Sequence, residues 1–181
     1  MIKTIDKVIY KAKKLNIGSG KDIKSDFINL DIIKIPGVDI VHDLNKFPWP
    51  FKDNYFEFVN MVSVLEHLKD PVKVLEEINR ICKKDAIVEV IVPHFASLGA
   101  FVDPTHNKFF SYYSFDYFTK DFDYNFYTRV RFEIVERKII YPKGMKLFEK
   151  IANKFPKLHE VFLRKFLTPK DIFFKLKVKK D

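Results

Sequence analysis

The chain has 181 residues, enough for one domain with a sizeable core, and its 47% hydrophobic and 31% charged residues exclude a disordered protein. A single cysteine, Cys82, excludes an internal disulfide and a cysteine metal cluster, and it predicts a reducing compartment, the cytoplasm. No apolar run reaches the length of a membrane span, and the basic N-terminal segment lacks the apolar stretch of a signal peptide, so neither is expected.

The net charge of +9 is concentrated towards the C-terminus. Residues 142–181 contain 12 of the 33 lysines and arginines but only 4 of the 24 acids. The simplest interpretation is a solvated, lysine-rich surface. The functional alternative is contact with an anionic partner, either a lipid or lipid-linked sugar at a membrane surface or a nucleic acid.

The first distinctive feature is a glycine turn between two short strands. A strand over 15–17 is followed at once by Gly18 and Gly20, where the backbone can turn tightly and a ligand can approach without meeting a Cβ. A second strand, over 27–30, ends at Asp31. In open α/β sheets, an acid after the second strand is placed to accept hydrogen bonds from ribose hydroxyls. The stretch therefore predicts a nucleoside-containing cofactor.

The same stretch disfavours NAD. A dinucleotide fingerprint needs a third glycine, where this chain has Ile23, and an acid about 20 residues further on. Asp31 comes only eleven residues after Gly20. G-x-G alone is also typical of an ordinary strand-to-helix turn. The rest of the chain is therefore needed to tell whether this turn binds a cofactor.

The other predicted elements alternate between strands and helices. A short helix is expected over 1–14, and at most two helical turns in the crossover after Gly20. There follow strands over 38–41 and 56–62, a helix over 70–83 that begins at Asp70-Pro71, a strand over 86–92, an aromatic segment over 96–128, a strand over 131–141, helices over 146–167 broken near Pro156, and a strand over 172–178. This order predicts one α/β domain whose sheet is mostly parallel and ends in an antiparallel pair.

Four motifs in this order resemble the class I S-adenosylmethionine-dependent methyltransferases, in particular the type 11 methyltransferase domains. They are residues 15–20 as motif I, Asp31 after strand two, residues 43–56 as the D-x-x-x-L-P-F-x-D-x-x-F-D stretch, and residues 64–71 as V-L-E-H-L-x-D-P. The resemblance covers residues 13–95. Asn16 stands where motif I usually has Asp, Asp22 replaces its third glycine, and Glu57 replaces the last Asp of the second stretch.

The resemblance implies a Rossmann-like class I methyltransferase fold, with a mostly parallel central sheet ending in an antiparallel hairpin and helices on both faces. It divides the single domain 1–181 into a cofactor-binding half (13–95), an acceptor-side aromatic segment (96–128), and C-terminal strands and basic helices (129–181). It also implies S-adenosylmethionine as the cofactor. Asp31 would hold the ribose, and Ser63 the methionyl side. Asp43 would meet the adenine, with capping of its own loop as the alternative role. The full expected cofactor set is Asn16, Ile17, Gly18, Ser19, Gly20, Asp31, Ile32, Asp43, Leu44, Val62, Ser63 and His67, with packing as the alternative role for His67.

The acceptor is expected to bind residues of the segment 93–128. An acid–base residue there would suit an acceptor hydroxyl or amine whose proton must leave. His94 is the first candidate, followed by His106 and Asp103. Their spacing does not demand a metal, and none is expected. Ser63-Val64-Leu65 replaces the Asn/Asp-Pro-Pro-aromatic motif of nucleic-acid amino methyltransferases, which disfavours a nucleic-acid base as acceptor.

The expected function is methyl transfer to a small-molecule or glycan-like acceptor. The alternatives are a catalytically silent cofactor-fold module that binds a partner, and an RNA or protein methyltransferase. An apolar stripe at helical spacing near the C-terminus is interpreted as core or as a homodimer contact. Its members are Phe148, Ile151, Phe155, Leu158, Val161, Phe162 and Phe166.

Overall fold

The computed structural model describes residues 12–180. The helix predicted over 1–14 lies largely outside this range. The strands are β1 (Lys14–Ile17), β2 (Ile28–Asp31), β3 (Ile40–Val41), β4 (Phe56–Val62), β5 (Cys82–Pro93), β6 (Arg131–Ile140) and β7 (Asp171–Lys179). The α-helices are α1 (Pro71–Ile81), α2 (Gly99–Val102), α3 (Lys146–Lys154) and α4 (Pro156–Val161). Four 3₁₀ helices cover Leu65–His67, Ser114–Phe118, Asn125–Tyr127 and Leu163–Lys165.

The strands form one sheet in the order β3-β2-β1-β4-β5-β7-β6. Strands β1 to β5 pair parallel to one another, whereas β7 runs antiparallel to both β5 and β6. Since β1 to β5 run in the same direction, their carboxyl ends share one edge of the sheet. The sheet confirms the predicted Rossmann-like fold, and this edge is where open α/β sheets bind ligands.

Helix α1 forms where the sequence predicts it. Asp70 is the N-cap, and its carboxylate accepts the Lys73 N–H at 3.1 Å. The apolar positions Val74, Leu75, Ile78 and Ile81 are all fully buried, as the 3.6-residue period requires. The helix ends at Ile81 rather than Lys83 because Cys82 adopts an extended conformation and pairs with Phe56 of β4.

The expected limit of two helical turns in the first crossover is respected, whereas the core interpretation of the C-terminal apolar stripe is wrong. The crossover between β1 and β2 contains turns but no helix, because so few residues separate the strands. The stripe along α3 and α4 is not core: its seven residues range from 36% exposed at Phe148 to 84% at Phe166. Helices α3 and α4 instead bury only Ala152 and His159. A homodimer contact through the stripe stays a prediction.

Among the described residues, no helix is long and apolar enough to cross a membrane.

Candidate cofactor and acceptor site

The glycine turn after β1 is held in a conformation that favours glycine at two positions. Gly18 has φ +62°, and a Cβ there would lie 2.2 Å from Cγ2 of Val64. Gly20 has φ +48°, but a Cβ there would meet nothing within 4 Å. Gly18 is therefore required by packing against the segment after β4. Gly20 instead leaves open space at the carboxyl edge, where a ligand can approach the backbone.

Asp31, at the end of β2, is bound to this turn. Its Oδ2 accepts the Gly20 N–H at 2.8 Å, and its Oδ1 accepts the Ile33 N–H at 3.1 Å. The side chain is half-buried. Each carboxylate oxygen has a second lone pair, so a ligand hydroxyl can still bind. The glycine turn and the acid after β2, both identified from the sequence, are thus joined by a direct hydrogen bond.

Asn16 lies beneath the turn instead of facing a ligand. It is 2% exposed, and its Nδ2 donates to the Asp22 carbonyl at 2.7 Å and to Oδ1 of Asn29 at 3.1 Å. Its own Oδ1 accepts from Nδ2 of Asn60 at 2.7 Å. The usual acid of motif I is therefore replaced by an amide that holds the turn from below. Ile17 is buried beside it.

Apolar side chains are exposed around the same edge. Ile32 and Ile33 follow β2, while Val41 and Val62 end β3 and β4; they are 61%, 63%, 50% and 39% exposed. Asp43 is half-buried, and the Asn45 N–H that it accepts lowers the pKa of its carboxyl. The side chains of Leu44 and Ser19 are buried, and Ser19 Oγ has no hydrogen-bond partner among the described residues.

The backbone after β4 turns sharply and leads to a second polar group. Ser63 has φ +53°, an uncommon value for a residue with a side chain, and its N–H donates to the Ile91 carbonyl at 2.8 Å. Val64, which contacts Gly18, follows, and the 3₁₀ helix Leu65–His67 comes next. The segment that closes over the glycine turn therefore also places Glu66 and His67.

Glu66, His67 and His106 come together just beyond β4. Oε1 of Glu66 lies 3.9 Å from Nε2 of His106, and the two imidazole rings meet edge to face with centroids 4.6 Å apart. Glu66 is 1% exposed, and neither carboxylate oxygen has a hydrogen-bond partner among the described residues. Burial raises the pKa of Glu66 to about 7, and it also lowers the pKa of His67.

The loop 103–108 brings His106 to this position. The Glu66 carbonyl accepts the N–H groups of Asn107 and Lys108 at 3.0 and 3.2 Å, and Nδ2 of Asn107 donates to the His67 carbonyl. Asp103 accepts from the N–H and hydroxyl of Thr105, which lowers the pKa of the Asp103 carboxyl. Asp103 thus shapes the loop, and His106 faces Glu66.

His94, the first catalytic candidate from the sequence, is not placed to contact an acceptor. It is 0% exposed. Its Nδ1 accepts the Ala96 N–H at 3.0 Å, and its Nε2 lies 3.1 Å from Oε1 of Glu160. Because both ring nitrogens are used inside the protein, the geometry makes His94 a packing residue. The prediction of His94 as the acid–base group is corrected accordingly.

Sequence reasoning missed Glu66. A signal was present, because Glu66 directly follows an uncharged stretch, residues 58–65, that includes the end of β4. A buried carboxyl in such a place needs a partner or a raised pKa.

The residues at the carboxyl edge fit S-adenosylmethionine. Asp31 offers acceptors to a ribose, the exposed apolar side chains offer a surface to an adenine, and Gly20 leaves its backbone open. Ser19 Oγ is an additional buried polar atom without a partner among the described residues.

The strand order, with five parallel strands followed by an antiparallel pair, defines a class I methyltransferase fold. Residues 19–90 match the family model described as a methyltransferase domain, so the resemblance seen in the sequence is confirmed over that range. No curated protein sequence matches the chain.

Solved structures share the fold at low identity. A SAM-dependent methyltransferase from Archaeoglobus fulgidus is 19% identical with a TM-score of 0.55, over 97% of this chain and 92% of that one. The YcgJ protein of Bacillus subtilis is 12% identical with a TM-score of 0.61, over the whole of both chains. A Haemonchus contortus phosphoethanolamine N-methyltransferase 2, solved with S-adenosyl-L-methionine, is 16% identical with a TM-score of 0.58, over 94% of this chain and 49% of that one.

Proposed function

We propose that the chain is an S-adenosylmethionine-dependent methyltransferase that acts on a small-molecule or glycan-like acceptor in the cytoplasm. The observation that carries the proposal is the Gly20–Asp31 hydrogen bond at the open carboxyl edge, within a domain whose residues 19–90 match the methyltransferase model. The similar structures include methyltransferases, one of them with S-adenosyl-L-methionine bound.

When bound, S-adenosylmethionine supplies a methyl group already activated by the positive sulfur. The protein therefore has to orient the donor and acceptor and exclude water. Asp31 accepts from the ribose hydroxyls, and the turn at Gly20 allows close approach of the ligand to the backbone. Val62, which ends β4, and Ser63, which follows it, line the methionyl side of the cofactor.

The acid–base group belongs to the cluster beyond β4. Glu66 has a pKa of about 7, close to the pH at which a general acid or base works best. His106 Nε2 faces its carboxylate. A proton leaving an acceptor hydroxyl or amine can be taken up by this pair. His106 thus keeps its predicted catalytic role, with Glu66 replacing His94.

Calorimetry of S-adenosylmethionine and S-adenosylhomocysteine binding to the purified chain tests the proposal, with NAD as a negative ligand. Micromolar binding is expected, and Asp31→Ala should weaken it by at least about 10-fold, the value of one charge-assisted hydrogen bond. Asp26→Ala is the matched control, because Asp26 is an exposed acid that forms an ion pair with Lys14.

Loss of affinity in both variants, or in neither, would contradict the ribose assignment to Asp31. A folded chain that binds neither methionine derivative would refute the proposal and favour the silent binding module instead.

A further inference from the structure

We propose that Glu66, His67 and His106 form a binding site for one divalent transition-metal cation, with Zn²⁺ as the reference ion. One potential ligand atom from each residue lies within 4.8 Å of the other two. The spacing of His94, His106 and Asp103 in the sequence gave no reason to expect a metal. The structure brings together a different set, of which only His106 is shared.

The strongest evidence for a cation at this position is the burial of the Glu66 carboxylate without a hydrogen-bond donor in the described part of the chain. The side chain of Glu66 is 1% exposed, and both oxygens lack a hydrogen-bond donor among the described residues. Burying a carboxylate that accepts no hydrogen bond costs desolvation free energy. A cation bound between the carboxylate and two imidazoles offsets that cost. This orphaned, buried carboxylate points to a ligand independently of the clustering.

The hydrogen bonds of the two imidazoles leave a lone pair available on each. His106 Nδ1 lies 3.2 Å from the Ala100 carbonyl, which can only accept, so Nδ1 carries the hydrogen. His67 Nδ1 lies 2.8 Å from Oγ1 of Thr105. The Thr105 hydroxyl donates its own hydrogen to Asp103, so it accepts from His67.

In the tautomer that these hydrogen bonds select, each ring carries hydrogen on Nδ1 and a lone pair on Nε2. A metal-binding histidine typically donates its other N–H to a carbonyl or carboxylate. Here the Ala100 carbonyl accepts from His106, and the Thr105 hydroxyl, which itself donates to Asp103, accepts from His67.

The ligands are also held on two connected segments. The carbonyls of Glu66 and His67 accept three hydrogen bonds from Asn107 and Lys108, which tie the loop of His106 to the turn after β4. Ligand atoms of one Zn²⁺ lie about 3.3 Å apart. In this structure Oε1 of Glu66 and Nε2 of His106 are 3.9 Å apart, so binding an ion would draw the ligand atoms closer together.

Two imidazoles and one carboxylate suit Zn²⁺ and Fe²⁺ better than Mg²⁺, which prefers oxygen ligands. Three protein ligands leave coordination positions open. With a cation bound, Glu66 and His106 act as its ligands and no longer take up the proton. The cation would instead lower the pKa of an acceptor hydroxyl, so the acceptor class that follows is a hydroxyl-bearing molecule. This last step rests on the proposed function, whereas the metal site itself does not.

In a second set, His94, His159 and Glu160, one potential ligand atom of each residue also lies within 4.8 Å of the other two. It is a poorer site, because both nitrogens of His94 and Oε1 of Glu160 already have hydrogen-bond partners. It supplies a control for the position of the ion.

The test uses the full chain without a histidine tag, stripped of metal by a chelator, and titrated with Co²⁺ as a spectroscopic probe. We expect one equivalent to bind with the absorption bands of a four- or five-coordinate ion, and Zn²⁺ to displace it. His67→Ala and Glu66→Gln should each weaken binding at least 100-fold, with circular dichroism as the check of folding. His42→Ala, at a histidine that belongs to neither cluster, and Glu160→Gln should keep the affinity.

The proposal is overturned if no Co²⁺ or Zn²⁺ binds at micromolar concentration, or if folded His67→Ala and Glu66→Gln bind the ion as tightly as the unchanged chain, whatever Glu160→Gln does. S-adenosylmethionine calorimetry on the same metal-free protein separates the two proposals. Cofactor binding without metal binding refutes only the metal site, and metal binding without cofactor binding refutes only the proposed function.

Discussion

The backbone N–H of Gly20 donates to Oδ2 of Asp31 at 2.8 Å. This bond joins the ends of β1 and β2 and fixes the orientation of the carboxylate. A change at either residue is therefore expected to affect the other, so the glycine turn and the acid act as one unit.

The two glycines of the turn should respond differently to alanine. In Gly18→Ala the new Cβ would lie 2.2 Å from Val64, in addition to the strain of a positive φ. We expect a loss of unfolding free energy of more than 2 kcal/mol, of which the backbone alone accounts for about 1–2 kcal/mol. In Gly20→Ala only the backbone strain applies, but the methyl group enters the open space where the cofactor is proposed to bind. Urea unfolding and calorimetry measure the two effects.

Gly144→Ala is the control for this pair. Gly144 also has a positive φ and open space around it, but it follows β6, four strands from β1 in the sheet. Gly144→Ala should lower the unfolding free energy as much as Gly20→Ala does, and it should leave S-adenosylmethionine affinity unchanged. Equal affinity in Gly20→Ala and Gly144→Ala would show that the turn does not contact the cofactor.

Local signals in the sequence predicted most of the sheet and helix α1. Helix α1 has both a cap, at Asp70, and buried residues at regular helical spacing, so local chemistry and packing agree. The apolar stripe of α3 and α4 has the same periodicity but lies at the surface. Periodicity identifies an apolar face, whereas what covers that face depends on the rest of the fold.

The site was predictable only where it depends on local sequence. Gly18, Gly20 and Asp31 lie at the ends of adjacent strands, so topology alone brings them together. His94 was expected at the same edge, but its burial depends on Glu160, 66 residues away. Glu66 and His106 meet through backbone hydrogen bonds from Asn107 and Lys108, which no local pattern encodes.

If His94 is a packing residue, its partner should matter for stability. Burial raises the pKa of Glu160, but the hydrogen bonds from His94 and Tyr112 outweigh burial and hold the pKa below its ordinary value of 4.5. The folded state therefore favours the ionised form. The stabilisation is present above pH 4.5 and is lost as the pH falls through the lower folded pKa.

Glu160→Gln should lower the unfolding free energy at neutral pH by about 2 kcal/mol and remove this acid-sensitive component. Urea unfolding at a series of pH values measures both effects. His94→Gln should also be less stable, while S-adenosylmethionine affinity is kept. A His94→Gln protein of normal stability that has lost methyl transfer would restore the catalytic role predicted for His94.

The basic C-terminal segment is partly neutralised by its neighbours in the sheet. Lys175 pairs with Glu89 at 3.3 Å, and Lys177 and Lys179 pair with Glu133 at 3.6 and 2.6 Å. We therefore predict only weak RNA binding at low salt, which falls steeply between about 50 and 200 mM salt. Filter binding measures it, and RNA affinity that persists at physiological salt would favour the RNA-methyltransferase alternative.

The aromatic loop between β3 and β4 should behave as part of the core. Trp49 and Phe51 are 2% and 6% exposed. Arg80 of α1 donates to the carbonyls of both residues and pairs with Glu77, whose carboxylate accepts the Trp49 N–H. Arg80→Ala would leave Glu77, which is 7% exposed, without its cation. The expected loss of unfolding free energy is about 3–5 kcal/mol.

Lys83→Ala is the comparison for Arg80→Ala. Lys83 lies just beyond the same helix, and its ion pair with Glu57 joins side chains that are 44% and 56% exposed. An exposed pair of this kind contributes less than about 1 kcal/mol. Chemical denaturation of both variants, together with the near-ultraviolet signal of Trp49, provides the measurement. If the two variants lose equal stability and the Trp49 signal does not change, Arg80 does not anchor the loop, and the loop would be free to move over the cofactor site.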